Sequence, residues 1–372
     1  MLAELNRHPH ARAVLGPALA DPPRPSHAYL FHGPGGAGKR AAARALAAEL
    51  LSEGAPDVEN ARARVMHGTH PDLTWVVPSG AHEMLVSDIA QPVIAAAAKT
   101  PFESRRRVFV IERADELGDE AANRLLKTLE EPASFVHIVL LTDRLGEILP
   151  TIRSRCQTVR FEAPSEEQAV ATVNQLGVEG DEAVACVRLA LQDAERASEL
   201  ATPEGRALRA AAQTYARAAI SGTMAETRPW SGMLSAAKAR GEVAAAALQA
   251  QLATELELIP RKEQRRVETE WNDRIRRTRR RVQTGALDLA LQIVSLWFAD
   301  LAALALDAPD LVRNADRLDE LGQDMAPPTI VSARLRDAIE RVEDTRQRFE
   351  LNVSEDLACE ALAYRLEQAL AR

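Results

Sequence analysis

Two patterns of apolar residues divide this chain. Over roughly the first 160 positions, short continuous apolar runs alternate with stretches in which apolar residues recur every three or four places. The runs "HAYLFHG", "DLTWVVP", "RRRVFVIE" and "FVHIVLLT" are rich in β-branched and aromatic residues and predict buried strands. Between them, "KRAAARALAAELL", "VSDIAQPVIAAAAKT" and "DEAANRLLKTLEE" carry helical spacing. Such alternation predicts an α/β unit built on a parallel, doubly wound sheet, with its ligand edge at the carboxyl ends of the strands. After "RSRCQTVRFEAPS" the strand signals stop. From Glu166 onward the pattern is helical, broken near "LGVEGD", "ATPEG", "SGTMAETRPWSG" and "DMAPPT". Three domains are expected: residues 1–163, a small helical domain at 164–222, and a larger all-α domain at 223–372. No fixed-period repeat is visible, which argues against a solenoid.

Composition sharpens this picture in three places. At 372 residues, with 46% hydrophobic and only 4% aromatic residues, the chain suits a globular, helix-rich protein of two or three domains. A formal net charge of −8 argues against wholesale electrostatic binding of DNA and leaves room only for a regional basic patch. The one dense basic run holds Arg274, Arg276, Arg277, Arg279, Arg280 and Arg281; lacking interleaved aromatics, it reads as a solvated or intersubunit helix face in preference to a DNA contact. Cys156, Cys186 and Cys359 are too far apart for a metal pair or a disulfide framework and fit a reducing cytoplasm. The opening residues lack the apolar core of a signal peptide. Ala286–Leu306 is apolar enough to raise the question of a membrane span, but Asp288, Gln292, Ser295, Ala299 and Ala302 recur at helical spacing and predict a buried amphipathic helix, with no membrane partner.

The chemistry concentrates at "FHGPGGAGKR". Gly33, Gly35, Gly36, Gly38 and Lys39 complete the glycine-rich pattern of a phosphate-binding loop, in which backbone N–H groups converge on phosphate oxygens and the lysine balances their charge. The next residue should carry a hydroxyl for Mg²⁺. It is Arg40, which cannot ligate a cation and adds positive charge beside one. The second requirement is an acidic pair after an apolar strand, to support the metal and polarise water. Here Val108–Ile111 is followed by Glu112 and Arg113, so a cation occupies the position of the base. Two independent defects predict that Mg²⁺-dependent hydrolysis is lost, while the glycines and Lys39 would still permit passively bound ATP or ADP.

"AANRLLKTLEEP" (Ala121–Pro132) and "ILPTIRSRCQTVRF" (Ile148–Phe161) resemble the clamp-loader branch of the AAA+ proteins. "HAYLFHGPGGAGK", "GTHPD" (Gly68–Asp72) and "VFVIERADEL" narrow the likeness to the delta-prime family of bacterial DNA polymerase III subunits. It covers about residues 1–165 strongly and the remainder only in general layout. The resemblance implies an AAA+ P-loop core at 1–163, a helical lid at 164–222 and a helical collar at 223–372. It implies a non-hydrolysing stator in a ring that loads the sliding clamp onto primed DNA. The partners implied are tau/gamma ATPase and delta subunits, with the clamp and primer-template DNA met through the assembled complex. No ATPase of its own is expected, within a holoenzyme that is a nucleotidyltransferase and that works in the cytoplasm at the nucleoid. The alternative is an ATP-hydrolysing tau/gamma-like motor or another AAA+ ATPase, which should keep the hydroxyl after Lys39 and an Asp-Glu pair at 112 and 113.

Carried over residue by residue, the likeness makes Arg155 of "SRC" an arginine finger for the neighbouring subunit's ATP site. It places Thr142 at the γ-phosphate sensor and, more weakly, Arg196 at the lid's phosphate-sensing arginine. Many relatives carry a four-cysteine zinc module before "GTHPD". Ser52–His67 has no cysteine, so zinc is not expected, and His67 and His70 read as surface or turn residues. Helical phase gives the "LLKTLEE" helix an apolar stripe of Ala122, Leu125, Leu126 and Leu129, an N-terminal cap at Asp119, and exposed Lys127, Glu130 and Glu131. Cys156 reads as a packing residue.

Overall fold

The computed structural model describes residues 5, 7–20, 23–80, 83–191, 193–258, 261–325, 331–349 and 353–370. They form two compact units, 1–164 and 165–372. Part of the expected break at "DMAPPT" lies outside the described residues.

The first unit holds five strands: β1 (Ala28–His32), β2 (Leu73–Val76), β3 (Arg107–Ile111), β4 (Val136–Thr142) and β5 (Gln157–Arg160). Its helices are α1 (Pro9–Leu15), α2 (Lys39–Ser52), α3 (Val58–His67), α4 (Val86–Ile89), α5 (Asp119–Glu130) and α6 (Pro150–Arg153). All strand pairings are parallel, in the order β2-β3-β4-β1-β5. The alternation of strand and helix in sequence thus yields the predicted sheet, because parallel neighbours need a crossover between them. Strand side chains point to alternate faces, and helices cover both. Phe31, Val108, Val110, Val139 and Leu141 pack with α1, α2 and α3 in one core. Leu30, Phe109, Ile111, Ile138 and Leu140 pack with α4 and α5 in another. Burial on both faces explains why the strands read as continuous apolar runs instead of alternating ones.

The buried carboxylate of Asp72 ties down the loop before β3. It accepts backbone N–H groups from Phe102 (2.6 Å), Glu103 (3.0 Å) and Ser104 (2.9 Å). His70 beside it is buried, with Nε2 3.1 Å from Glu103, which corrects the expectation of a surface histidine. His67 is exposed, as expected.

The second unit is helical throughout: α7 (Glu166–Asn174), α8 (Gly180–Leu189), α9 (Ala194–Ala201), α10 (Pro203–Ser221), α11 (Met224–Thr227), α12 (Trp230–Leu258), α13 (Arg261–Ala305), α14 (Leu318–Met325), α15 (Ser332–Phe349) and α16 (Glu355–Leu370). Ser165 opens it with a capping box, accepting the N–H of Gln168 while the Gln168 side chain accepts its own. One hydrophobic cluster runs from Ala169 to Leu370, so the packing is continuous across the expected division at residue 222. The physical reason is α13. Its second half, from Ala286, is buried on nearly every side and serves as the common core of the helices around it. The helix is buried as expected, and the polar residues on it are satisfied: the half-buried Asp288 binds Arg346 at 2.8 Å, and the Gln292 side chain accepts from Arg196 at 3.1 Å and donates to the Leu189 carbonyl at 3.3 Å.

Candidate functional site

The carboxyl ends of β1, β3 and β4 lie side by side, because the register pairs His32 with Thr142 and Ile111 with Leu140. Whatever follows these strands therefore meets at one edge of the sheet. After β1 comes the glycine loop, after β3 Glu112 and Arg113, and after β4 Asp143. Gly33 has φ 145°, and a Cβ there would lie 2.2 Å from the Phe161 carbonyl oxygen, so the loop leaves the strand by a path that only glycine can follow.

The charged groups at this edge are satisfied by the protein itself. Lys39 is buried, and its ammonium donates to the carbonyls of Gly33 and Pro34, both at 2.6 Å, and pairs with Asp143 at 2.7 Å. An ammonium has three N–H donors, and all three have acceptors. Arg40 turns toward β3, where its Nε and a terminal nitrogen bind one oxygen of Glu112 at 2.7 and 2.6 Å. The other Glu112 oxygen accepts the indole N–H of Trp75 on β2 at 2.6 Å. Arg44, one turn along α2, lies 4.7 Å over the Trp75 ring. The guanidinium of Arg40 thus occupies the carboxylate of Glu112, the group that should support a metal.

Arg113 has a left-handed backbone (φ 49°) and pairs with Glu116 at 2.5 Å. Thr142 is buried; its hydroxyl donates to Asp115 at 2.7 Å and accepts the N–H of Arg144 at 3.0 Å. His32 at the end of β1 is held below the usual histidine range by burial and then by the basic side chains around it, His10, Arg153, Arg160 and Lys39. Among the described residues no group of three or more His, Cys, Asp and Glu is placed to hold a metal ion.

Arg155 is elsewhere. It precedes β5, whose first residue Gln157 aligns with Tyr29 near the start of β1, so Arg155 belongs to the amino-terminal edge of the sheet. Crossing a strand of four or five residues takes about 15 Å, which separates Arg155 from the loop of its own chain. Its guanidinium is exposed, donates to the Thr151 carbonyl at 2.8 Å and pairs with Glu130 at 2.5 Å, at the end of α5. Lys127, Glu130 and Glu131 are exposed as helical phase predicted, and Ala122, Leu125 and Leu129 are buried. Two details differ. Asp119 is the first helical residue and Gly118 the cap, and Leu126 is only half-buried. Cys156 is partly buried against the core, and burial pushes its thiol up to about 12, so it is no nucleophile near neutral pH. Arg196 belongs to the helical unit, where it binds Gln292 and lies 3.7 Å from Asp193.

The structure therefore gathers Lys39, Arg40, Glu112, Arg113 and Thr142 at one edge, with Trp75, Asp115 and Asp143, which were not anticipated. Residues 16–165 match the family model described as DNA polymerase III, delta subunit. The first unit resembles the delta-prime subunits of DNA polymerase III. Its similarity to the delta-prime subunit of Bacillus subtilis is 40% identity over 151 residues, 40% of this chain and 45% of that protein. With the delta-prime subunit of Pseudomonas aeruginosa it is 37% over 136 residues, covering 35% and 42%. The gamma/tau subunit of Mycobacterium tuberculosis is 33% identical over 169 residues, 43% of this chain and 28% of that protein. The chain spans less than half the length of these relatives, and in each case the match covers less than half of this chain.

Proposed function

We propose that this chain is a non-hydrolysing clamp-loader subunit of the delta-prime kind, which assembles with tau/gamma and delta subunits to load a sliding clamp on primed DNA. The observation that carries the reading is the Arg40–Glu112 pair. Hydrolysis at a phosphate loop needs a hydroxyl and a carboxylate free to support a cation, and here an arginine side chain replaces the first and binds the second. Arg113 removes the remaining base. Lys39 completes its hydrogen bonds within the chain, so the loop requires no nucleotide to be charge-balanced. The loop glycines would still admit ATP or ADP passively, and no cofactor is required.

Arg155 would then serve a neighbour. It cannot reach its own loop, it is exposed, and its partner Glu130 is a surface carboxylate that a more strongly charged phosphate could displace. A guanidinium supplied in trans at a γ-phosphate is worth about 10³- to 10⁵-fold in rate. The alternative, a hydrolysing motor like the gamma/tau relatives, is separated by a direct measurement. The isolated chain should show no Mg²⁺-dependent ATP turnover; turnover abolished by Lys39→Ala would overturn the proposal. In a reconstituted clamp loader, Arg155→Ala should lower DNA-stimulated turnover by the contribution of one site, with assembly intact by size-exclusion. Unchanged turnover would leave a scaffold without a finger.

A further inference from the structure

The helical unit carries a feature that the clamp-loading proposal does not use. Helices α12 and α13 run as an antiparallel hairpin with a small core of its own, made by Ala245, Leu252 and Ile275 with Leu248, Leu256, Val267 and Trp271. The two helices approach closely at Gly241, where a Cβ would lie 2.9 Å from the Arg279 carbonyl oxygen and 3.3 Å from its Cγ. Residues 230–285 hold 12 Lys and Arg against 7 Asp and Glu, a surplus of five positive charges in a chain whose net charge is −8. Between Arg274 and Arg281 there are six arginines and no acid.

A helix face that exists only to be solvated mixes its signs, since like charges four residues apart repel. Here Arg276 and Arg280 stand at that spacing, both exposed. Arg276 has Asp273 at 3.0 Å and Arg279 has Glu242 at 3.5 Å, while Arg280 has no acidic partner among the described residues. Arg274 lies 4.9 Å over the Trp271 ring, an arrangement that holds its guanidinium at the surface without neutralising it. The acid-free run from Arg274 to Arg281 extends over about 11 Å of helix, the length of about three base-pair steps.

We propose that the α12–α13 hairpin binds the phosphate backbone of a nucleic acid, with Arg276 and Arg280 as principal contacts. An acidic protein surface is the other partner that charge alone would allow. Protein interfaces, however, are built around a buried apolar centre. Among the described residues of the hairpin, Val243 is the single exposed large apolar side chain, too little to form such a centre, and the arginines are flanked in sequence by Thr269, Asn272 and Thr278. Phosphate contacts need no such centre and carry no sequence preference.

The test uses the full chain and a fluorescently labelled primed DNA duplex, with anisotropy measured from low to moderate salt. Arg276→Glu/Arg280→Glu should weaken binding at least tenfold and reduce the slope of log K against log salt by about 2, because each lost phosphate contact removes ~0.9. The charge-matched control is Arg336→Glu/Arg348→Glu on the exposed surface of α15, which should leave both quantities unchanged. Circular dichroism confirms that both variants fold. Equal losses in the two variants, or no loss in either, would overturn the proposal. So would a hairpin variant that keeps its DNA affinity but no longer binds purified tau/gamma or delta subunit, which would make the hairpin a protein contact. None of these readings depends on ATP turnover, so the hairpin and the clamp-loading proposal fail separately.

Discussion

Two charged clusters at opposite edges of the central sheet are held in opposite ways. At the carboxyl edge Lys39, Arg40, Glu112, Trp75 and Asp143 form a closed set, with Lys39 and Glu112 buried. At the amino edge Arg155 and Glu130 pair on the surface. The first set is expensive to open from its exposed side, because removing Asp143 or Arg40 leaves the buried Lys39 or Glu112 short of a partner. The second is cheap to open, since an exposed ion pair contributes at most about 1 kcal/mol. The Glu112 cluster, at the edge that looks like an enzyme's, is therefore fixed, and the Arg155–Glu130 pair is the exchangeable one.

Substitutions can break this comparison, beginning with the amino edge's own buried groups. Asp72→Ala orphans three backbone N–H groups and should cost about 3 kcal/mol or more in chemical denaturation; a loss below about 1 kcal/mol would mean the 102–104 loop holds itself. His137, at the start of β4, is buried and pushed down to about 4, first by burial and against the favourable hydrogen bond to Ser26, with Arg106 and His27 adding repulsion. Its lowered value means that the stability it contributes is complete above the unfolded value of 6.5 and is lost as pH falls toward 4. The loss should approach ~3 kcal/mol and be much reduced in His137→Gln.

The direct contrast between the edges comes next. Glu112→Ala should cost about 2 kcal/mol, because the Trp75 N–H and the Arg40 guanidinium both lose their acceptor. Glu130→Ala should cost less than about 0.5 kcal/mol by the same thermal or denaturant measurement. Equal costs for Glu112→Ala and Glu130→Ala would erase the distinction between a closed and an exchangeable edge.

Most of the fold and part of the site can be read along the chain, for local reasons. The glycine loop, Arg40 and Arg113 are visible because the chemistry of a phosphate loop is set by neighbours in sequence. The sheet is visible because two-sided burial leaves unbroken apolar runs. Trp75 and Asp143 are different: one becomes a partner of Glu112 through the β2–β3 register, the other of Lys39 through the β1–β4 register, and neither pairing has a local signal. His70 looked like a turn residue because burial depends on Glu103 and Ser104, more than thirty positions away. The burial of α13 is legible in its apolar content, but the partners of its polar residues, Arg346 for Asp288 and Arg196 for Gln292, are distant in sequence and leave no local signal.

Helix α13 has one further consequence. Its 45 residues run unbroken from the basic hairpin into the centre of the helical core. Such a rod is a mechanical lever. Arg265 stands about 38 Å along the axis from Ala290, so a tilt of only ~5° about the buried half would carry the outer arginines some ~3 Å. Because the core packs tightly on that half, force applied at the far end is delivered directly to the residues least able to yield.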